Sequence, residues 1–262
     1  MRKPVFAYGC GSPIRLPIVA ALARGSSAKQ FIPDANPVYR GDNSIVWGLI
    51  RGANEIMTQT REKGFNFYQL DNAYFSRNIY YRVTLNALQL NYLPPSIISN
   101  RYKTILGQSG RTILPWKKER QGPVVLCPSS EFLYQYYGTS LGAWTENVIL
   151  ELRKYTNRPI VVRPKALMPK DDIDAAIHDA WCVVTHVSAA ALDALRLGVP
   201  IITTGACAAS PLATAIDQVE SPVCAEGRDE LFSLLAHCQF TPDEMLSQDI
   251  IQIIDRLFAD IN

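Results

Sequence analysis

Residues 183–202 read VVTHVSAAALDALRLGVPII, and this stretch determines the predicted fold. It predicts a buried strand over Cys182–Thr185, a helix over Ser188–Leu197 that ends at Gly198, and a second strand over Pro200–Thr203. Small residues open the helix, so a ligand can approach free backbone N–H groups there, and the helix dipole favours an anion. The stretch therefore predicts a parallel sheet with an anion site at the turn that follows a strand.

The rest of the chain alternates strands and helices in the same way. The other predicted strands are Pro4–Tyr8, Lys29–Ile32, Ser44–Leu49, Phe65–Leu70, Tyr80–Thr84, Val124–Cys127 and Pro159–Val162. The other predicted helices are Ile14–Arg24, Ala53–Lys63, Ala143–Tyr155, Asp172–Ala180 and Pro242–Phe258. This alternation predicts an α/β protein with two Rossmann-like, doubly wound domains. We place them at residues 1–120 and 121–262, and the last predicted helix can cross back to the first domain.

Length and composition favour a folded cytoplasmic protein. The 262 residues suit one large domain or two ordinary ones, and 48% apolar residues against 19% charged residues leave little for disorder. No window approaches the roughly 18 apolar residues of a membrane span, and Gly and Pro interrupt the amino end before a signal peptide could form. The six cysteines show no CxxC and no His at zinc-ligand spacing, so no metal site is predicted.

Charge is distributed unevenly along the sequence. Residues 1–122 contain 17 Lys and Arg against 6 Asp and Glu, a net charge of 17 − 6 = +11, whereas residues 123–262 contain 9 against 18, a net charge of 9 − 18 = −9. This asymmetry suggests two domains and a polyanionic partner for the first of them. The alternatives are that the two halves pair with each other or that the charges lie on solvated faces.

A short motif in the second half resembles a known enzyme family. The run Asp193-Ala194-Leu195-Arg196-Leu197-Gly198-Val199-Pro200 resembles the acidic-Ala-Leu-x-x-Gly-x-Pro signature of nucleotide-sugar glycosyltransferases of the GT-B fold. The resemblance implies two Rossmann-like domains that face a cleft and a nucleotide-sugar donor, expected to be a UDP-sugar. It also implies that Asp193, which replaces the commoner Glu, holds the donor ribose. The expected donor contacts at the preceding turn and at two further strand ends are Ser129, Ser130, Arg163, Lys165, His186, Val187 and Ser188.

The first half contains a second resemblance. Trp47-Gly48, followed by residues 68–77 (YQLDNAYFSR), is similar to the Trp-Gly … Glu-Asp-Gly-Phe-x-Arg-Ser arrangement of bacterial capsule-type Kdo transferases. The resemblance implies that Asp71 is the catalytic carboxylate, although Gln69 and Asn72 depart from the pattern. Residues 8–13 (YGCGSP) resemble the glycine loop after the first GT-B strand. The expected acceptor or phosphate contacts are Gly9, Gly11, Ser12, Tyr74, Arg77 and Arg82.

Basic and aromatic residues interleave over residues 74–120, a composition that suits phosphate neutralisation and base stacking. The chain also resembles small proteins of tailed-phage genomes, some of which glycosylate hydroxymethylated pyrimidines. We therefore expect a metal-independent glycosyltransferase that modifies a hydroxymethylpyrimidine base in phage DNA, in the host cytoplasm. One alternative is sugar transfer to a surface polysaccharide or another carbohydrate. Another is a non-catalytic nucleotide-binding or nucleic-acid-binding protein on the same fold.

Overall fold

The structure, a computed structural model, describes residues 4–93, 99–165 and 172–259. In the described residues the strands are β1 (Val5–Tyr8), β2 (Gln30–Ile32), β3 (Asn43–Trp47), β4 (Phe67–Asn72), β5 (Tyr81–Leu85), β6 (Val124–Leu126), β7 (Ile160–Val162), β8 (Cys182–Thr185), β9 (Ile201–Thr203) and β10 (Gln239–Phe240). The α-helices of the same residues are α1 (Leu16–Gly25), α2 (Ala53–Glu62), α3 (Arg101–Gly107), α4 (Glu131–Tyr136), α5 (Leu141–Leu152), α6 (Ile173–Ile177), α7 (Ala190–Arg196), α8 (Arg228–His237), α9 (Pro242–Ser247) and α10 (Ile250–Ala259). Every predicted strand is therefore present.

The chain divides into two compact units, and the division differs from the predicted domain boundary. The first unit contains residues 1–88 and 236–262, and the second contains residues 89–235. Described residues between 89 and 120 bond to the second unit: the amides of Leu114 and Lys117 donate to the carbonyls of Arg196 and Gly198, and Gln89 donates to Val187. The boundary therefore lies at 88/89 instead of 120/121.

The first unit contains a six-stranded sheet in the order β2-β1-β3-β4-β5-β10. Strands β1 to β4 run parallel, whereas β5 is antiparallel to β4 and β10 is antiparallel to β5. The connection between β4 and β5 is too short for a crossover helix, so β5 returns beside β4 in the opposite direction. Apolar side chains such as Phe6, Val46 and Phe67 pack with Ile56 and Met57 of α2 to form the core on one face.

The carboxyl-terminal segment of the first unit contains two helices where one was predicted. Gln248 has extended backbone, with φ −134° and ψ 151°, and this ends α9. The carboxylate of Asp249 then accepts from the amide of Gln252, which starts α10. Helix α9 packs closely on α1, since a Cβ on Gly25 would lie 1.8 Å from the carbonyl oxygen of Met245.

The second unit contains a four-stranded parallel sheet in the order β7-β6-β8-β9. Its core combines apolar strand residues, among them Val124, Leu126 and Val184, with Trp144 and Leu152 of α5. The chain leaves β6 toward one neighbour and later returns on the other side as β8. The gap between the carboxyl ends of β6 and β8 is therefore a topological switch point, where ligands of open α/β sheets bind.

Candidate functional site

The loops after β6 and β8 bond directly to each other at the switch point of the second unit. The amide of Val187 donates to Ser129 Oγ at 3.4 Å, and Thr185 Oγ1 donates to the carbonyl of Cys127 at 2.6 Å. Ser129 is only 2% exposed. Ser130 begins α4 with extended backbone, and its hydroxyl does not cap the helix. The structure therefore brings together Ser129 and Val187, two of the predicted donor contacts.

Two predicted donor contacts of opposite charge lie close to the same cysteine. Burial raises the pKa of the Cys127 thiol to about 11, the positive charge of Arg163 opposes this increase, and the negative charge of Asp193 adds to it. Arg163 follows β7 directly, and its amide donates to the carbonyl of Leu126 at 2.8 Å. Lys165, two residues further on, is exposed. The carboxyl edge of this sheet therefore carries Arg163, one of the cations expected to bind the donor.

Asp193 has a partner that the sequence did not predict. Its Oδ1 lies 3.7 Å from an Nη of Arg111, and Arg111 also lies 3.9 Å from Asp174. The Asp193 side chain is 17% exposed, so a ribose hydroxyl would share this carboxylate with a guanidinium.

The amides at the start of α7 are less available than expected. The amide of Ser188 donates to Thr185 Oγ1 at 3.3 Å, and that of Ala190 donates to Ser188 Oγ at 3.3 Å. The helix itself has seven residues. Hydroxyl groups therefore occupy amides that we expected to bind an anion, and a phosphate would have to displace these hydroxyls.

His186 lies inside a cluster of aromatic rings. Its ring stacks on Tyr134 with centroids 5.6 Å apart and meets the edge of Tyr137 at 5.0 Å. Its Nδ1 lies 3.1 Å from Thr204 Oγ1, which also accepts a hydrogen bond from Trp144 Nε1 at 2.8 Å. Burial lowers the pKa of His186, and its Nε2 has no hydrogen-bond partner among the described residues. A donor phosphate would therefore meet a neutral imidazole instead of a cation.

Gln89 is a residue of this site that the sequence analysis missed. Its Nε2 donates to the carbonyl of Val187 at 2.8 Å, and its Oε1 accepts from the amide of Ala208 at 3.2 Å. One side chain thus connects the loops after β8 and β9. No local sequence signal marks Gln89, because it lies in an irregular segment and acts through tertiary contacts.

In the first unit, Asp71 forms an ion pair that the sequence did not predict. Arg82 donates through an Nη to Asp71 Oδ2 at 2.9 Å, and the amide of Asn72 donates to Asp71 Oδ1 at 2.7 Å. The Asp71 side chain is 26% exposed and that of Arg82 is 10% exposed. Arg82 was predicted to contact an acceptor or phosphate, but its guanidinium is bound to Asp71 because the two residues are opposite each other in β4 and β5.

The other predicted contacts of the first unit are divided between buried and exposed positions. Tyr74 is 3% exposed and packs under the Arg82 guanidinium, whereas Arg77 is exposed. The amides of Gly9 and Gly11 donate to the carbonyls of Ile32 and Pro33, respectively. Gly11 has φ +58°, and a Cβ at this residue would collide with Ala35. The carbonyl of Ser12 accepts from the amides of the residues at the start of α1. The glycine loop is therefore engaged in packing within its own unit.

Among the described residues of 74–93 and 99–120, part of the basic and aromatic set expected to bind nucleic acid is buried or bound within the chain. Five of the aromatic side chains are buried in the structure: Tyr74, Phe75, Tyr80, Tyr81 and Tyr102. Two of the cations bind within the chain, since Lys117 donates to the His178 carbonyl and Arg120 to the Trp181 carbonyl.

The uneven charge of the two sequence halves also does not follow the compact units. The first unit has 12 Lys and Arg against 10 Asp and Glu, 12 − 10 = +2, and the second has 14 against 14.

No helix within residues 4–93, 99–165 and 172–259 combines the length and the apolar character needed to span a membrane. Within those same ranges, no three His, Cys, Asp or Glu side chains are grouped so that they could hold a metal ion.

Comparison with known proteins establishes the fold. No protein-family model and no curated protein matches the sequence. Similar solved structures include Thermosulfurimonas dismutans KpsC described as a beta Kdo 2,4 transferase, with 15% identity and a TM-score of 0.52, covering 97% of this chain and 97% of that one. KpsC of the same organism, described as a beta Kdo 2,7 transferase, matches with the same identity and TM-score and covers 97% of this chain and 99% of that one. The chain therefore shares the α/β fold of these solved structures, and the predicted α/β fold class is confirmed.

Proposed function

We propose that this chain is a glycosyltransferase that moves a sugar from a nucleotide-sugar donor to a hydroxyl group of a carbohydrate acceptor. The observation that carries the proposal is the direct contact between the loops after β6 and β8 at the carboxyl edge of the second sheet, where Val187 donates to Ser129 and Arg163 follows the neighbouring strand β7. Polar and charged groups at such a switch point suit a phosphorylated nucleotide. The fold shared with two Kdo transferases supports a sugar as the transferred group.

The residues of the second unit have distinct roles in donor binding under this proposal. Arg163 and Lys165 neutralise the negative charge of the donor phosphates. His186 packs against Tyr134 beside the loop after β8, and burial lowers its pKa. Asp193 accepts from ribose hydroxyls beside Arg111. We expect a UDP-sugar to be the donor and the reaction to proceed in the presence of EDTA.

Asp71 of the first unit supplies the carboxylate of the transfer step. It accepts the proton of the acceptor hydroxyl while that oxygen forms a bond to the anomeric carbon of the donor sugar. The bond from the anomeric carbon to the donor phosphate oxygen breaks, and the nucleotide leaves with that electron pair. The partly exposed Asp71 carboxylate, with one oxygen bound to Arg82, suits a group that must be accessible and well oriented.

The distribution of charge and aromatic rings favours a carbohydrate acceptor over the hydroxymethylpyrimidine of DNA. A protein that binds DNA through many phosphates needs a concentration of available cations, and one that stacks bases needs accessible rings. The first unit has a net charge of +2, Arg82 is bound to Asp71, and Tyr74 and Tyr81 are buried. Carbohydrate recognition through hydroxyl groups needs neither feature.

The experiment tests donors and acceptors together. The protein is incubated with radiolabelled UDP-, dTDP-, GDP- and CMP-sugars, with EDTA, and with either an oligosaccharide panel or plain and hydroxymethylated DNA. Label on an oligosaccharide supports the proposal, label on hydroxymethylated DNA alone identifies the DNA acceptor instead, and absence of transfer and of donor binding overturns both. Asp71→Asn should remove transfer while leaving donor affinity unchanged. Glu62→Gln, which removes one exposed carboxylate from α2, is the matched control.

A further inference from the structure

A row of three polar residues crosses the first sheet at Asp71. In the register of β4 and β5, Asp71 is opposite Arg82, and in the register of β5 and β10, Arg82 is opposite Gln239. Residues directly opposite each other on neighbouring strands point to the same face. Counted over the whole residue, Arg82 is 8% exposed, and Gln239 is completely buried. The row therefore continues from the partly exposed Asp71 carboxylate into the interior of the unit.

Arg82 contacts three parts of the segment that contains Asp71. One Nη donates to Asp71 Oδ2 at 2.9 Å, and the other donates to the carbonyl of Asn72 at 3.4 Å. The guanidinium also lies over the ring of Tyr74, 5.2 Å from its centroid. A planar guanidinium with two engaged ends fixes the direction of a carboxylate, which a single ammonium does not.

Gln239 holds the same segment from its other end. Its Oε1 accepts from the amide of Tyr74 at 3.0 Å and from that of Phe75 at 3.4 Å, and its Nε2 donates to the carbonyl of Phe75 at 3.4 Å. The backbone from Asp71 to Phe75 is therefore fixed at one end by Arg82 and at the other by Gln239. Gln239 comes from the last part of the chain, far from Asp71 in sequence.

We propose that Arg82 and Gln239 are positioning residues that hold the Asp71 carboxylate in its reactive orientation, an inference that rests on the proposed function. A buried ion pair is weak evidence for stability, because apolar residues of similar volume often stabilise a fold equally well. Here the hydrogen bonds described join the Arg82 and Gln239 side chains to the segment 71–75. Their common target is the segment that supplies the proposed catalytic carboxylate.

The test compares kinetic constants in variants that remove or conserve each contact. Arg82→Met should lower kcat by about 100-fold with the KM for the donor within about twofold, because a displacement of the order of 1 Å costs about that much. Arg82→Lys should recover part of this loss, and Gln239→Leu should lower kcat by about 10-fold, in the range typical of residues that support a site. Gln239→Glu, which keeps one accepting oxygen, should lie between Gln239→Leu and the wild type.

Thr84→Val provides the matched control, because Thr84 lies on the same strand and face as Arg82 and is fully buried. Its side-chain hydroxyl donates to the carbonyl of Ala87 and not to the segment 71–75 in the hydrogen bonds of the described residues. It should reduce thermal stability without changing kcat per folded molecule. An unchanged kcat in Arg82→Met, or an equal loss in Thr84→Val, overturns the inference while the proposed function stands.

If Arg82→Met does not fold, Arg82→Lys decides the question. This variant keeps the charge, so a kcat equal to that of the wild type refutes a role for the guanidinium geometry, and a lower kcat with an unchanged donor KM supports it. If the wild-type protein transfers no sugar from any donor, the proposed function fails and the inference fails with it.

Discussion

The replacement of Gly205 by alanine tests the packing around His186. A Cβ at residue 205 would lie 2.5 Å from Cε1, 2.7 Å from Nδ1 and 3.0 Å from Nε2 of the His186 ring, whereas ordinary contact begins at 3.4 Å. The ring would have to withdraw by about 3.4 − 2.5 = 0.9 Å. It cannot do so without disturbing its stacking on Tyr134 and its contact with Thr204.

The expected cost follows from the contacts that are lost. Overpacking of a well-packed site costs about 1–3 kcal/mol. A lost hydrogen bond at about 0.5–1.5 kcal/mol and a lost aromatic pair of similar value give the same range. A domain the size of the second unit changes Tm by about 2–4 °C for each kcal/mol, so at about 2 kcal/mol, the middle of this range, Gly205→Ala should lower its Tm by about 4–8 °C.

Thermal unfolding followed by circular dichroism checks this prediction in two backgrounds. Without the His186 ring the three nearest atoms to the added Cβ are gone, so Gly205→Ala in a His186→Ala protein should cost less than about 0.5 kcal/mol. Gly142→Ala is the control, because no atom lies within 4 Å of its added Cβ and the residue is inside helix α5. Equal decreases in Tm in both backgrounds, or no decrease in the wild-type background, would refute the reasoning.

Three further predictions concern stability. Burial lowers the pKa of His186 below its ordinary 6.5, so the unfolded chain takes up a proton that the folded chain does not, and stability falls as pH drops below about 6.5. The Tm of the wild type should therefore decrease more than that of His186→Phe between about pH 8 and pH 5, and parallel curves would contradict this. Gly25→Ala places a Cβ 1.8 Å from the backbone oxygen of Met245 and should cost about 3 kcal/mol or more in urea unfolding. Thr241→Ala removes a capping box shared with Glu244 and should cost about 1 kcal/mol in the same assay, and an unchanged midpoint would show that the box does not stabilise α9.

The elements with strong local signals could be predicted from the sequence. Strand β8 occupies Cys182–Thr185 as predicted, because four apolar or β-branched residues are followed by a polar turn and a helix. Strand β10 could not be predicted in this way. Its two residues, Gln239 and Phe240, carry no periodic pattern, and they form a strand only because the tertiary fold brings them beside β5.

Part of the candidate site in the second unit could also be predicted from the sequence. The carboxyl ends of parallel strands meet at one edge, so residues that follow different strands, such as Ser129 and Val187, could be grouped before the structure was known. The ion pair of Asp71 with Arg82 could not be predicted, because it depends on the register of two antiparallel strands. The aromatic residues near them were expected to be accessible, but residues in a sheet alternate between faces, and a composition pattern does not say which face is buried.

The return of residues 236–262 to the first unit has a consequence for the order in which the protein is made. Strand β5 has β4 as its neighbour on one side, and on the other side it pairs only with β10, near the end of the chain. A ribosome therefore releases every residue of the second unit before the first sheet can be completed. Until then β5 presents an open edge of backbone donors and acceptors, the kind of surface on which nascent chains associate wrongly.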